Sequence, residues 1–199
     1  MRVLVTREEL VSRVESLGYD AILCELIRVE PLGDEPVDAR AYDWLVVTSR
    51  NGAHELARRG VTANRIAAIG PATADALRSH GLRVDLVAAT HTQEGLREEL
   101  PEGTILLAAA DGARRDVLEG DFLPLYRTIE LRPAVPKADI ALLMSGSAAR
   151  ALAATGARLP TVAIGPRTAA EARAAGLDVV GAAVTHDLDG LVEALRSIS

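Results

Sequence analysis

Two stretches decide the fold: DWLVVTSRNGAHELARRG, from Asp43 to Gly60, and DIALLMSGSAARALAATG, from Asp139 to Gly156. Each opens with an Asp, runs through a short apolar stretch to a Ser, and then spaces its apolar residues helically as far as a Gly. That order reads as a buried strand, a helix N-cap, a helix and a helix stop. The likeness continues outward. RIAAIGPATADALRSHGLRVD (Arg65–Asp85) matches PTVAIGPRTAAEARAAGLDVV (Pro160–Val180), and ATHTQEGLREEL (Ala89–Leu100) matches VTHDLDGLVEAL (Val184–Leu195). An offset that stays at about 95 residues is the mark of an internal repeat.

The remainder repeats more weakly. RVLVTREELVSRVESLGYDAILCELIRVEPL from Arg2 follows the same pattern as TILLAAADGARRDVLEGDFLPLYRTIEL from Thr104, with a somewhat shorter helix. Calling the two kinds of segment X and Y, the chain reads X1-Y1-X2-Y2. Each X is a strand, a helix and a second extended run. In X1 the strand is Val3 to Val5, Thr6-x-x-Glu9 reads as a capping box, Gly18 ends the helix, and Ala21 to Val29 resumes as strand. Each Y alternates three strands with three helices. Such alternation predicts parallel α/β layers, and one X with one Y supplies the five strands of a flavodoxin-like sheet.

Two domains can be assembled from these parts, as X1Y1 with X2Y2, or as Y1X2 inserted into X1Y2. The Pro-rich runs Glu30 to Pro36 and Arg132 to Pro136 read as extended linkers, whereas Leu100-Pro101-Glu102-Gly103 reads as an ordinary helix-to-strand turn. The second arrangement is therefore expected. Residues 1–30 and 134–199 would form a discontinuous α/β domain and 36–126 an inserted one, with linkers at 31–35 and 127–133. A cleft between the lobes, able to open and close, would follow.

Composition removes several function classes. The 199 residues are 49% apolar and 25% charged with a net charge of −6, an ordinary globular mix without the basic footprint of a nucleic-acid binder. Aromatics at 3% leave few platforms for stacking bases. No apolar run reaches the roughly 18 residues of a membrane span, and MRVLVTREEL lacks a signal-peptide layout, so a cytoplasmic protein is expected. The single Cys, Cys24, lies in the apolar run AILCELI and reads as buried strand. The four His are scattered, His54 and His80 on expected helix surfaces, with no zinc-ligand spacing. Neither GxGxxG nor a Walker loop occurs.

Ligands of parallel sheets bind beyond the carboxyl ends of the strands. There the sequence places Thr48-Ser49-Arg50-Asn51 and Ser145-Gly146-Ser147, then Gly70-Pro71-Ala72-Thr73 and Gly165-Pro166-Arg167-Thr168. Pro suits the first helical position, Gly permits a sharp reversal, and the free N–H groups behind them suit a carboxylate or phosphate. Capping alone would select the same residues, but their duplication in two lobes points to a ligand with many similar anionic groups. Arg7, Arg50, Arg127 and Arg167 lie at or near these loops. Tyr126, where X2 meets its linker, is a candidate proton donor or a packed interfacial ring. His91 and His186, each before a Gly-Leu helix, read as helix-entry packing as readily as chemistry.

At this point the chain resembles the uroporphyrinogen-III synthase family of tetrapyrrole (haem) biosynthesis. The resemblance rests on VLVTR from Val3, D-x-x-x-x-TS-x-NG from Asp43, IGPATA from Ile69, LYRT around Tyr126, the spaced Asp139 and Ser145, IGPRTA from Ile164, and the closing Thr185 with Gly190-Leu191. It implies two α/β domains joined by a two-stranded connector. It also implies a cofactor-free lyase that closes hydroxymethylbilane, which carries eight carboxylates, into uroporphyrinogen III with the last ring inverted through a spiro intermediate. Thr73 and Thr168 fall on the family's IGxxT threonines, Ser49 and Ser145 on its strand-end serines, and Tyr126 on its cleft tyrosine. The expected protein is a cytoplasmic monomer that uses no nucleic acid or membrane and meets hydroxymethylbilane synthase only transiently. The second half departs from the pattern, with Met144 for Thr48 and Gly146-Ser147 for Arg50-Asn51. Two rival readings stand beside this one: a catalytically silent two-lobe binder of a tetrapyrrole or other multi-anionic ligand, and a flavin carrier, for which aromatics are scarce.

Overall fold

The computed structural model describes residues 1–198. Its first part holds β1 (Arg2–Val5), a 3-10 turn (Glu8–Leu10) running into α1 (Val11–Glu15), β2 (Asp20–Leu23), β3 (Ile27–Pro31) and β4 (Val37–Asp38). Then follow β5 (Trp44–Val47), α2 (Arg50–Arg59), β6 (Val61–Thr62), β7 (Ile66–Ala68), α3 (Pro71–Ser79), β8 (Leu86–Val87) and α4 (Gln93–Glu99). Next come β9 (Ile105–Ala110), β10 (Asp121–Glu130) and β11 (Ile140–Leu143). The chain closes with α5 (Gly146–Ala154), β12 (Thr161–Ala163), α6 (Pro166–Ala174), β13 (Val179–Ala182) and α7 (Leu188–Arg196). It divides into two compact units, one of residues 1–28 with 128 onward, the other of residues 29–127.

In the first unit the strands lie in the order β2-β1-β11-β12-β13, every pair parallel. Counted along the chain within that unit the order is 2-1-3-4-5, the flavodoxin-like arrangement. The second unit has β10-β9-β5-β7-β8, again all parallel, and the same order emerges when counting starts at β9. Each unit is thus one X with one Y, permuted in the second. β3 is added outside β10: Leu32 N–H donates to the Leu125 carbonyl at one end and Leu131 N–H to that of Leu26 at the other, an antiparallel register.

Burial follows from this layering. β5 and β11 are buried along their whole length, as strands covered on both faces must be. Alternate side chains feed two cores per unit. In the first, Val3, Val5, Ile140 and Leu142 pack with Leu191 and Leu195 of α7, while Leu4, Ala141 and Leu143 pack with α5 and α6. In the second, Leu45, Val47 and Ala68 meet α2 and α3, while Trp44, Val46 and Ala67 meet Leu96 of α4.

Four local expectations are corrected. Residues 111–120 of X2 contain no helix; Val117 and Leu118 are buried from an irregular loop instead. Thr6 does not cap a helix; the helical turn starts after Arg7, and the buried Thr6 hydroxyl points to the Leu142 carbonyl at 3.5 Å. Ala21 to Val29 is not one strand but two, in different sheets, broken at residues 24–26. Cys24 is buried, as expected, yet lies in that break and not in a strand.

The leading Asp of each Y fastens the two kinds of segment together. Asp43 accepts from the Thr104 backbone N–H (2.9 Å) and hydroxyl (3.0 Å) ahead of β9, and Asp139 accepts from the Arg2 N–H (2.7 Å) at the start of β1. Bonding from backbone N–H, largest of the causes in each case, holds both carboxyls below the usual carboxylate range.

Candidate active site

Because all ten X and Y strands run parallel within their units, the loops at their carboxyl ends gather at one edge of each sheet. In the second unit, Ser49 follows β5 in extended conformation, and its Oγ accepts from the Gly52 N–H at 3.0 Å, capping α2. In the first, Ser145 caps α5 identically, through the Ala148 N–H at 3.2 Å, and shares a hydrogen bond with Ser147 at 3.0 Å.

The two Y segments then differ. Tyr126, 5% exposed, brings its hydroxyl to 2.8 Å from Ser49 Oγ although 77 residues separate them. A register irregularity in β10 between Pro124 and Tyr126 makes this geometry, turning both Leu125 and Tyr126 into the core that contains α2. Among the described residues Ser145 has no such aromatic partner. Around it a Cβ on Gly146 would collide with the Glu171 carboxylate, which is held by Arg150 (2.6 Å) and Arg167 (3.4 Å). Gly146 thus leaves room for that carboxylate, the flexible end of a partly exposed side chain, at the position where the second unit has Arg50.

The Ile-Gly-Pro turns are alike in both units. Gly70 and Gly165 precede α3 and α6, with Pro at the first helical position and no side-chain cap. Their φ values, 178° and 173°, are extended backbone open to any residue, so the expectation that Gly serves a sharp reversal is corrected. Space is what demands it: a Cβ on Gly70 would lie 3.0 Å from His91 Cγ, and one on Gly165 would lie 2.9 Å from His186 Cδ2. Both imidazoles therefore pack on the turns.

Thr73 and Thr168 are 5% and 8% exposed, and neither hydroxyl bonds another group among the described residues. Pro71, Ala72 and Pro166 are exposed at the helix starts, and Thr48 and Asn51 are half-buried beside Ser49. Arg7 and Arg50 carry no ion pair among the described residues, so their charge is available. Arg127 is paired with Glu30 at 3.1 Å, and Arg167 with Glu171 while 89% exposed, a link that solvent screening makes weak. No group of three or more His, Cys, Asp or Glu among the described residues is placed to hold a metal ion, and no helix among them is long and apolar enough to cross a membrane.

Comparison with known proteins now decides the family. The profile of uroporphyrinogen-III synthase HemD matches residues 8–193. The chain belongs to the uroporphyrinogen-III synthase family. A candidate uroporphyrinogen-III synthase of Archaeoglobus fulgidus is 33% identical over 107 residues. That stretch spans 51% of this chain and 45% of the archaeal protein, less than half its length. A crystal structure of a mutant uroporphyrinogen III synthase from the extremely thermophilic bacterium Thermus thermophilus superimposes with a TM-score of 0.69 at 18% identity, covering 99% of this chain and 98% of that one. At that identity the likeness speaks for the fold.

Within a uroporphyrinogen-III synthase family chain, sequence reading located the strand-end loops but missed two contacts. Nothing local to Ser49 or Tyr126 announces their pairing, and Glu171 reads as ordinary helix-surface charge. One signal was available: Gly146 in place of Arg50 already indicated a space filled by something else.

Proposed function

We propose that this protein is a uroporphyrinogen-III synthase that dehydrates and closes hydroxymethylbilane without a cofactor. The observation that carries this reading is the Tyr126 hydroxyl, buried yet held at the carboxyl-end loops of a family member and bonded, among the described residues, only to Ser49. Tyr126 donates its proton as the terminal C–O bond breaks, so water leaves and an azafulvene cation remains. The substituted carbon of the last pyrrole attacks that cation to give a spiro intermediate. The intermediate fragments and closes again with the last ring inverted, and the proton lost from the ring carbon returns to the phenolate. One water is released overall.

The rest of the machinery positions the substrate. Main-chain N–H groups behind Gly70 and Gly165, with the unpartnered hydroxyls of Thr73 and Thr168, suit the carboxylate arms. Arg50 in the second unit and Arg7 in the first add charge that is unpaired among the described residues; Thr48, Asn51, Pro71 and Ala72 border the loops of the second unit and Pro166 those of the first. In the first unit Ser145, Gly146, Ser147 and Arg167 form a smaller counterpart, partly filled by the protein's own Glu171 carboxylate. The test is a coupled assay. Hydroxymethylbilane is generated in place, the products are oxidised, and isomers I and III are separated. Dominant isomer III is expected; isomer I alone from folded protein would sink the enzymatic reading.

A further inference from the structure

We infer that Ser49 is a positioning residue that aims the Tyr126 proton, by donating its own hydroxyl hydrogen to the Tyr126 oxygen. The inference rests on the synthase reading for its role in turnover, while the hydrogen bond itself can be tested without substrate. Three observations carry it. Ser49 Oγ already accepts the Gly52 N–H at 3.0 Å, and a hydroxyl that accepts one hydrogen bond becomes a better donor of the next. Its only acceptor among the described residues is the Tyr126 hydroxyl at 2.8 Å. With that oxygen receiving, the phenolic hydrogen has no partner among the described residues and is left for a bound ligand. As the proton departs, the negative charge on the Tyr126 oxygen meets a hydroxyl donor that is itself tied to the first turn of the ten-residue helix α2.

The duplicated architecture separates this role from folding. Ser145 caps α5 as Ser49 caps α2, so the unit needs the serine as a cap in both copies. It needs the tyrosine in only one. By sheet register Asp121, beside Leu106, corresponds to Ile22, beside Leu4, so the position of Tyr126 falls in the first unit at Ile27, which has no hydroxyl. The Ser–Tyr bond is therefore an addition to a frame that folds without it.

A double-mutant cycle tests the inference. Tyr126→Phe should lower kcat roughly 10- to 100-fold with isomer III still dominant, and Ser49→Ala should lower it about tenfold with KM changed less than about twofold. In the Tyr126→Phe background, Ser49→Ala should cost nothing further. Ser49→Thr, which caps and donates, should recover most of the rate. Ser49→Asp keeps the α2 cap but has no hydrogen to give, so it should stay as slow as Ser49→Ala and also covers the case in which the alanine variant does not fold. Without substrate, the ¹³Cζ resonance of Tyr126, identified by its loss in Tyr126→Phe, should move in Ser49→Ala and return in Ser49→Thr. Losses that multiply in the double variant, a Ser49→Ala effect on KM alone, or an unmoved Tyr126 resonance would each overturn the assignment. Wild-type protein that yields only isomer I would overturn the synthase reading and the turnover role with it. In that event the resonance shift still reports whether the bond exists.

Discussion

At Gly70 and Gly165 the constraint is a contact and not a torsion. Each backbone is extended, and each turn is glycine because a histidine ring rests on it. Gly70→Ala should therefore destabilise the fold by about 1–3 kcal/mol through overpacking. The same substitution in a His91→Ala background should cost markedly less, which denaturant titration of the four proteins would show; equal costs would place the constraint in the backbone after all. Cys24 offers a second test at this scale. It is 5% exposed, and burial pushes its thiol up, so the reactive thiolate is scarce and shielded. An aromatic disulfide reagent should label it slowly in the native protein and at once after unfolding. Fast native labelling would mean that the break between β2 and β3 opens readily.

Between elements, the aspartates that open the Y segments act as fasteners. Asp43 and Asp139 each take backbone N–H from the start of the neighbouring X strand, and both are held below the usual carboxylate range. A carboxyl with a depressed folded-state pKa stabilises the protein above its unfolded value, about 4, and loses that contribution as pH falls toward the folded one. The thermal midpoint should accordingly drop on acidification below about pH 4. Asp43→Asn and Asp139→Asn should lower the midpoint at neutral pH and flatten its acid limb, since an amide has no proton to gain there. A limb unchanged in both variants would assign acid sensitivity to other depressed carboxyls, such as Asp38 and Asp116. The motif Asp was legible in sequence as a repeat marker; that it joins two strands was not, because its partners lie 61 and 137 residues away.

For the whole molecule, the repeat explains why the chain crosses between units twice. Each unit owns two cores and a complete five-strand parallel order. The second is continuous, residues 29–127, and at about 100 residues is large enough to hold its own core. Expressed alone, that segment should unfold in a single cooperative urea transition. Trp44, the protein's sole tryptophan and 4% exposed, reports on it directly. A broad transition without a native baseline would show that it depends on the remainder of the chain.

Sequence by itself determined the layers and their order. Apolar runs of strand length, Ser and Gly at helix ends, and a repeat at constant offset are local or periodic signals, and they survive being read one residue after another. They also located the strand-end loops, because a parallel sheet collects its strand ends on one side. Only the tertiary structure decided which of those loops are chemically distinct. The bond between Ser49 and Tyr126, the seating of His91 and His186 on their glycines, and the filling of the Gly146 space by Glu171 all join residues distant in the chain. Their geometry is set by a strand irregularity, a ring contact and a carboxylate between two arginines, which hydrophobic periodicity does not encode.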